Sequence, residues 1–462
     1  MRKLTVLFIL VVIFLVSSNA NSQLPNQSTY LLKNLNQHSV TQFQYSAVWG
    51  YVAPDGREYG ILGCPGGTAF IDVTDSANIR EVDFVPSLTN NNWREMKTYS
   101  HYAYVVSEAT NSKLQIIDLQ YLPDSVSLVN TWSYPTYTKT HSISQFDHYL
   151  YLNGGNSASS GGITILDVID PVNPVKLGQW TDLYVHDCRV VNDTIYAANI
   201  NDERVSIINA TNKSAPSTVR TFVNLPGSGP HNTALSKDRK RLFVTDEIGT
   251  APYRLKVWNI DDVNNITYIT SWNPTNITNS IVHNIETYND IAIVAHYSAG
   301  IRILNISNPD APQEIAWYDT YPLNNNESYN GCWGVYMFPS GKIAASDRQT
   351  GFYCIKSTEV LTGISSNISA SVPENFSLNQ NYPNPFNPST KINFSLPKYS
   401  QASLKIYNVN GKEVAELFND TRDAGNYEVS FDAAKYGLAS GTYFYNLKTQ
   451  DFNETKKMTI LK

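Results

Sequence analysis

The chain has 462 residues, which exceeds the length of a typical single domain, so at least two folding units are expected. Its 30 Tyr, 17 Phe and 8 Trp supply large apolar side chains, and only 16% of its residues are charged, which is typical of a β-rich extracellular protein. The net charge of -6 and the lack of a long basic run exclude the electrostatic footprint of a nucleic-acid-binding protein.

The first 20 residues have the three parts of a secretory signal peptide. Arg2 and Lys3 form a basic start, residues 4–16 are apolar, and residues 17–20 are small or polar. The apolar stretch is too short to cross a bilayer as a permanent helix. We therefore predict a signal peptide over residues 1–20 and no transmembrane segment in the mature chain.

Four cysteines would accompany the chain into an oxidising compartment. They are Cys64, Cys188, Cys332 and Cys354. A disulfide is permitted there, but the sequence does not assign a pairing. The alternative is buried unpaired thiols, because free Cys packs as a small hydrophobic residue.

One pattern recurs along most of the chain: two apolar strands, then a third strand that ends in Asp or Asn. A period of about 40 to 50 residues with alternating apolar side chains is typical of four-stranded propeller blades. The residue that ends each third strand is predicted to cap a turn. These residues are Asp72, Asp118, Asp167, Asn209, Asn259 and Asn305. We predict an all-β chain with a seven-bladed β-propeller over residues 21–358.

The seventh copy of the repeat, which begins at Gly351, lacks the strand that follows in the other copies. A ring left open at this point would expose an unpaired strand edge. Residues 30–35 resemble the fourth strands in pattern. We predict that this N-terminal strand closes the ring on blade seven.

Beyond the repeats, a polar linker is predicted over residues 359–372 and a new strand-rich unit over residues 373–462. Residues 376–397 read FSLNQNYPNPFNPSTKINFSLP, and the chain ends in KKMTILK. This unit resembles the C-terminal sorting domains of the type IX secretion system, which implies a small Ig-like β-sandwich that directs export. The resemblance implies type IX secretion machinery as a partner and a location outside a Gram-negative cell or on its outer-membrane surface. An ordinary adhesive Ig-like module is the alternative.

Histidine recurs at one position near the start of the first strands of the blades. Counting along the repeats places seven residues in this column: Trp49, Arg94, His141, His186, His231, His283 and Trp333. First strands are innermost in a propeller, so equivalent positions form a ring around one mouth of the central channel. The second strands end at the same face.

Carboxylates and further polar residues are predicted at those second-strand ends. The predicted ligand-binding set at the mouth comprises Arg94, Glu108, His141, His186, Asp187, His231, His283, His296 and Asp347. Imidazole and carboxylate groups are suitable ligands for a divalent transition metal. The candidate metal ligands are His186, His231, His283, His296, Asp246 and Glu247. The alternative is a structural ring, in which the fold reuses one residue and each His bonds the neighbouring blade.

The segments VHDCRVVNDTIYAANINDERVSIIN and VHNIETYNDIAIVAHYSAGIRILNISNP resemble the choice-of-anchor B family, built from LVIVD-type repeats. This similarity spans about residues 45–356 and implies an extracellular propeller whose biochemical role is open. No established catalytic motif accompanies the histidines. The leading hypothesis is a secreted or surface binding protein that takes a ligand, a glycan or a protein partner, with a divalent metal as a candidate cofactor. The alternatives are a metal-dependent extracellular hydrolase or lyase at the same site, and a scaffold without a pocket ligand.

Overall fold

The computed structural model describes residues 26–156, 160–227, 229–360, 375–397, 400–422 and 425–461. The predicted signal peptide and residues 361–372 of the predicted linker lie outside the described residues. Within the described part the chain is all-β, and its one helical turn is the 3-10 segment Ile200–Asp202. No helix in this part is long and apolar enough to cross a membrane.

Two short strands come first, followed by the strands of seven antiparallel sheets, here named I to VII. The first two strands are β1 (Asn26–Gln27) and β2 (Thr29–Leu35). Sheet I comprises β3 (Val48–Val52), β4 (Glu58–Cys64), β5 (Gly67–Asp72) and β6 (Arg80–Pro86). Sheet II comprises β7 (Arg94–Tyr99), β8 (Tyr102–Ser107), β9 (Leu114–Asp118) and β10 (Ser127–Trp132). Sheet III comprises β11 (Ser142–Phe146), β12 (Tyr149–Asn153), β13 (Ile163–Asp167) and β14 (Val175–Trp180).

The remaining four sheets continue the same order. Sheet IV comprises β15 (Asp187–Val191), β16 (Thr194–Asn199), β17 (Arg204–Asn209) and β18 (Ser217–Val223). Sheet V comprises β19 (Pro230–Leu235), β20 (Arg241–Asp246), β21 (Leu255–Asn259) and β22 (Thr267–Trp272). Sheet VI comprises β23 (Ile285–Tyr288), β24 (Ile291–His296), β25 (Gly300–Asn305) and β26 (Gln313–Tyr318), with β1 on its edge. Sheet VII comprises β27 (Cys332–Met337), β28 (Lys342–Asp347) and β29 (Gly351–Ser357), with β2 as its fourth strand.

The predicted turn after each third strand is confirmed in sheets I to VI. In all six, the side-chain oxygen of the terminal Asp or Asn accepts a hydrogen bond from the backbone N–H two residues further along. This local bond reverses the chain without help from distant residues. The same turn therefore recurs wherever the sequence repeats it.

The sheets contact one another in cyclic order. The first strand of each sheet lies against the first strand of the next, and β27 and β28 of sheet VII lie against β3 of sheet I. Buried apolar clusters fill the spaces between neighbours, for example Leu62 and Ala69 of sheet I with Phe352 of sheet VII. Four-stranded antiparallel sheets in this order resemble the blades of a β-propeller.

The N-terminal strand β2 pairs antiparallel with β29, and Thr29 lies opposite Ser357. Strand β1, which is separated from β2 by one residue, pairs with β26 of sheet VI. The start of the described chain therefore joins the last two sheets. These backbone bonds satisfy the edge of β29, which would otherwise be exposed.

The four cysteines are buried free thiols without a disulfide among them. Burial raises the pKa of Cys188 to about 12, so that this sulfur is kept as the thiol. The sequence left open a disulfide or buried unpaired thiols, and the structure has the unpaired thiols.

The C-terminal residues form two further sheets around a separate apolar core. One sheet contains β30 (Ser377–Leu378), β31 (Ser389–Leu396) and β34 (Gly425–Asp432), and the other contains β32 (Ser400–Asn408), β33 (Glu413–Arg422), β35 (Gly441–Lys448) and β36 (Asn453–Ile460). Ile392, Leu404 and Tyr445 are fully buried in this core. It is of the size of a small independent folding unit.

A buried ion pair joins sheet I to sheet VII. Mutation of this pair tests whether the contact between the first and the last sheet stabilises the fold. Lys342 Nζ lies 2.9 Å from Glu58 Oε2, and both side chains are 6% exposed. Lys342→Met would leave the buried carboxylate without its cation, so the free energy of unfolding should fall by about 3–5 kcal/mol. Urea unfolding measures this change.

The matched control is Lys240→Met, which breaks a pair with Asp261 whose side chains are more than half exposed. Its expected effect is at most about 1 kcal/mol. Equal stability of the two variants would contradict a closure that depends on the buried pair.

Candidate functional site

Four histidine side chains lie next to one another in a row at one end of the innermost strands, with their rings tilted against each other. The ring centroids of His141 and His186 are 3.9 Å apart, those of His186 and His231 are 4.3 Å apart, and those of His231 and His283 are 3.9 Å apart. Trp333 continues the row at 4.7 Å from His283. Five residues of the predicted column, the four histidines and Trp333, therefore form a continuous line of side chains, and the four are here named the histidine row (His141, His186, His231 and His283).

The carboxylate of Glu247 faces three members of this row. Its Oε2 lies 3.6 Å from His231 Nε2 and 4.0 Å from His186 Nε2, and its Oε1 lies 3.6 Å from His283 Nε2. One ligand atom from each of His186, His231 and Glu247 can be chosen so that all three lie within 4.8 Å of one another. These three residues are the candidate metal centre.

Backbone pairing within sheet V positions two of these residues on one hairpin. Pro230 pairs with Asp246 and Thr233 with Val244, which leaves an extra residue in β19 at the level of His231. Glu247 directly follows β20, and its N–H donates to the carbonyl of Gly229. His231 and Glu247 are thereby held on the same hairpin, with the bulge beside His231.

Hydrogen bonds set the protonation of the outer members of the row. His283 Nδ1 donates to the Trp333 carbonyl, which can only accept, so its Nε2 keeps a lone pair towards Glu247. His141 Nδ1 lies 2.8 Å from Glu108 Oε1. Nδ1 of His186 and Nδ1 of His231 are buried, and each ring has a backbone hydrogen bond with the next histidine of the row, His231 and His283 respectively.

Burial controls the charge of the site. Desolvation lowers the pKa of His186 and His231 well below the ordinary value and lowers that of His283 to about 3, so these rings are neutral. Burial lowers the pKa of His141 too, but the hydrogen bond and charge of Glu108 outweigh it, and the net pKa is raised. Desolvation raises the pKa of Glu247, against the hydrogen bond that Tyr297 donates to it.

Asp246 and His296 do not point into the histidine row, although both were candidate metal ligands. Asp246 precedes Glu247, and successive side chains of a strand point to opposite faces. Its Oδ2 lies 2.9 Å from Lys256 Nζ, and its Oδ1 accepts from Asn224. His296 Nδ1 bonds Ser280 Oγ at 3.1 Å.

Asp347 and Asp187 accept hydrogen bonds from neighbouring residues of the fold. Asp347 accepts from Thr320 Oγ1 and from the backbone N–H groups of Gln349 and Thr350, which caps a turn. Asp187 accepts from Asn232 Nδ2, yet it also lines the cavity beside the row.

The structure corrects the column by one residue in sheet II. Arg94 pairs with Ser107 as Ser142 pairs with Asn153, so Trp93 occupies the position equivalent to His141. Arg94 still lines the cavity, and its guanidinium donates to Cys64 O and Ser87 Oγ. In sheet I, Trp49 lies within β3 opposite Ile61 and beneath Lys97, inside the channel rather than at its mouth.

The cavity beside the histidine row has a volume of about 10 Å³, which is about the space for one water molecule. Its polar lining includes Glu95, whose pKa burial raises to about 7. A single ion or water fits this volume, whereas a sugar ring does not.

The residues of the site that were not predicted from the sequence include Trp93, Glu95 and Tyr297. Tyr297 donates to Glu247 Oε1 at 2.8 Å and packs on His283. It directly follows a second strand, as Glu108 and Glu247 do. Counting one residue past each second strand would therefore have found it.

Comparisons with known proteins identify the tail. Residues 380–461 match the family model of the secretion system C-terminal sorting domain. No curated protein matches the chain. The sorting tail implies handling by the type IX secretion system and points to export, with the protein secreted or on the cell surface.

Solved structures with related folds have low sequence identity to this chain. The PorZ component of the type IX secretion system of Porphyromonas gingivalis is 13% identical with a TM-score of 0.43, and the match covers 89% of this chain and 59% of that protein. YCF48 bound to a D1 peptide is 10% identical with a TM-score of 0.49, covering 73% and 96%. A hypothetical selenium-binding protein from Sulfolobus tokodaii is 11% identical with a TM-score of 0.47, covering 89% and 94%.

The contact between Glu108 and His141 gives a test of the electrostatics of the row. Glu108→Gln removes the strongest of the charges that raise the pKa of His141, so this pKa should fall, although Glu95 and Glu247 still raise it. A pH titration of the ring carbon resonances by NMR measures the change. Glu327→Gln, which affects a carboxylate bonded to Tyr253, is the control. An unchanged pKa of His141 in Glu108→Gln would show that the carboxylate does not set its charge.

Proposed function

We propose that this chain is an exported seven-bladed β-propeller protein that binds one divalent transition-metal ion between His186, His231 and Glu247. The observation that carries the proposal is the convergence of two imidazole nitrogens and one carboxylate oxygen at one end of the innermost strands. The cyclic contacts of sheets I to VII support the seven blades, and the pairing of β2 with β29 supports closure by the N-terminal strand.

The distances within the cluster support a metal ion. In a tetrahedral site with metal–ligand bonds of about 2.0–2.1 Å, two ligand atoms lie roughly 3.4 Å apart. The observed nitrogen-to-oxygen distances are 3.6 Å for His231 and 4.0 Å for His186. Small side-chain rotations would bring both nitrogens to bonding distance.

The charges of the cluster also support a cation. The buried Glu247 carboxylate faces three neutral imidazoles, and the hydrogen bond from Tyr297 together with the charges of His141 and Arg348 compensates only part of its desolvation, since its pKa stays raised. A divalent ion would supply the missing positive charge and use the imidazole lone pairs. Imidazole and carboxylate together suit zinc, copper, nickel or iron more than calcium or magnesium.

Three protein ligands leave one position of a four-coordinate ion open. His283 Nε2, on the other side of the Glu247 carboxylate, or a water molecule would take that position. The cavity of about 10 Å³, which His186 and His231 line but Glu247 does not, has room for one water and argues against a glycan beside the row. A glycan or protein partner would have to contact the outer rim, where Trp93 is 37% exposed.

A metal-dependent hydrolase or lyase is the alternative function, and a scaffold without a pocket ligand is the third candidate. An open coordination position would serve hydrolysis, since a metal-bound water is acidified. However, the cavity that His186 and His231 line has a volume of only about 10 Å³, which leaves no room there for a polymer. Metal binding without catalysis therefore accounts for the geometry with fewer assumptions.

The remaining parts of the proposal concern organisation and location. We assign residues 1–20 to a signal peptide, 21–358 to the propeller of the choice-of-anchor B type, 359–372 to a linker and 373–462 to an Ig-like sorting domain. The match of the tail to sorting domains supports this division. The proposed destination is the outer-membrane surface of a Gram-negative cell or the medium.

Metal content tests the central proposal. Protein purified without a chelating tag and dialysed against Zn²⁺ should retain one equivalent by elemental analysis. His186→Ala, His231→Ala and Glu247→Gln should each weaken Zn²⁺ binding by more than about 100-fold, because even residues that only orient metal ligands contribute 10–100-fold.

The matched control is His296→Ala, which removes a fully buried histidine outside the row. It should leave Zn²⁺ affinity unchanged, and thermal unfolding without metal separates a folding defect from a lost ligand. Absence of stoichiometric zinc, copper, nickel, iron and manganese in the wild type would favour the scaffold. Equal zinc affinity of His231→Ala and His296→Ala would show that the zinc site does not include His231.

Removal of the tail tests the export proposal. A chain that ends at residue 372 should fold its propeller but accumulate in the periplasm of its native host, because it lacks the sorting domain. Fractionation and surface labelling measure the distribution. The full-length His186→Ala variant should reach the surface or medium like the wild type. Surface delivery of the truncated chain would contradict the role of residues 373–462.

A further inference from the structure

Tyr297 connects the carboxylate of the proposed metal centre to a group of aromatic side chains. Its hydroxyl donates to Glu247 Oε1 at 2.8 Å, and its ring centroid lies 4.7 Å from that of His283. The rings of Trp333 and Tyr329 stand nearly perpendicular to it, with centroids 6.2 Å and 5.5 Å away. The residue is only 1% exposed. Close packing on several sides therefore fixes the position of the hydroxyl.

The backbone of Tyr297 is fixed as well. Its carbonyl accepts hydrogen bonds from the N–H groups of Gly300 and Cys332, each at 2.9 Å. Gly300 begins β25 of sheet VI, and Cys332 begins β27 of sheet VII. A Cβ on the neighbouring Gly331 would collide with the same carbonyl oxygen. Two sheets thus hold Tyr297 in place before any ion arrives, which lowers the entropy cost of binding.

The two oxygens of the Glu247 carboxylate have different neighbours. Oε1 accepts the hydrogen bond from Tyr297, whereas Oε2 lies 3.6 Å from His231 Nε2 and 4.0 Å from His186 Nε2. The last torsion of a glutamate side chain is broad, so the carboxylate has little preferred orientation of its own. A fixed donor to Oε1 removes this freedom and directs Oε2 towards the two imidazole nitrogens.

His283 does not hold Oε1 in this way. Its Nδ1 donates to the Trp333 carbonyl, so its Nε2, which lies 3.6 Å from Oε1, carries a lone pair. Burial and the charge of Glu247 raise the pKa of Tyr297 well above its ordinary value, so the hydroxyl keeps its proton. Tyr297, and not His283, therefore supplies the hydrogen bond to this oxygen.

We propose that Tyr297 is a positioning residue of the metal centre, a role that rests on the proposed metal-binding function. With Oε1 bonded to Tyr297, Glu247 binds the ion through Oε2 alone. The orientation of the carboxylate then selects His186 and His231 as its partners. Tyr297 thus sets the affinity of the centre without contacting the ion. Hydrogen bonds that orient metal ligands in this way are a common source of metal affinity.

The Zn²⁺ affinity of full-length Tyr297→Phe tests the proposal. The substitution removes one hydroxyl and keeps the packed ring, and the affinity should fall about 10–100-fold, as for other residues that orient metal ligands. In the Glu247→Gln background the same substitution should have no further effect, because Tyr297 acts through that carboxylate. With Co²⁺ in place of Zn²⁺, Tyr297→Phe should also change the visible absorption bands, which depend on the number and arrangement of the ligands.

The matched control is Tyr253→Phe. Tyr253 is 4% exposed, and its hydroxyl donates to Glu327 Oε1 at 2.6 Å, so this variant loses an equivalent hydrogen bond outside the histidine row. It should bind Zn²⁺ as the wild type does. Thermal unfolding of both variants without metal separates a loss of stability from a loss of ligand orientation.

Three results would each overturn the role of Tyr297: undiminished Zn²⁺ affinity of Tyr297→Phe, an equal loss in Tyr253→Phe, or an additive loss in the Glu247→Gln background. If His186→Ala still loses Zn²⁺ in the same experiments, the metal centre itself stands. A wild-type protein that retains no metal would contradict the metal centre, and the role of Tyr297 with it.

Discussion

The architecture depends on joining the last sheet to the first. A row of sheets that pack face to face is stable only if both outer faces are covered, and here sheet VII covers sheet I. Two different contacts hold this junction: backbone pairing of β2 with β29, and the buried ion pair of Glu58 with Lys342. Neither is local in sequence, since residues 58 and 342 belong to opposite ends of the propeller region. The positions of the inner strands, and so of the histidine row, follow from this closure.

Much of the fold could be predicted from the sequence because its information is local and repeated. The turn after each third strand needs only one side chain and one backbone N–H two residues away, as at Asp72 and Asn305. The missing fourth strand of sheet VII pointed to a donor, and the motif around Asn381 pointed to a sorting domain. Seven sheets and their order are a consequence of repeats that can each be recognised alone.

The candidate site could be predicted only in part, because it depends on strand register. A one-residue shift in sheet II exchanges Trp93 for Arg94, and the register of sheet I places Trp49 within β3 rather than at its start. Side-chain alternation is equally decisive, since Asp246 and Glu247 are adjacent yet face Lys256 and the histidine row respectively. Residue type and spacing indicated which residues could be ligands. The pairing between strands determines which of these residues lie close together.

The tie between neighbouring sheets accounts for one nitrogen of each ring in the histidine row. His283 Nδ1 donates to the Trp333 carbonyl and His141 Nδ1 bonds Glu108, while the backbone of the next histidine hydrogen-bonds the rings of His186 and His231. The second nitrogen is not used in this way, since Nε2 of His186 and of His231 lies 4.0 Å and 3.6 Å from Glu247 Oε2, beyond hydrogen-bond distance. These two atoms are therefore the ones available to an ion, and binding free energy from a metal would add to the stability of the folded chain at this position.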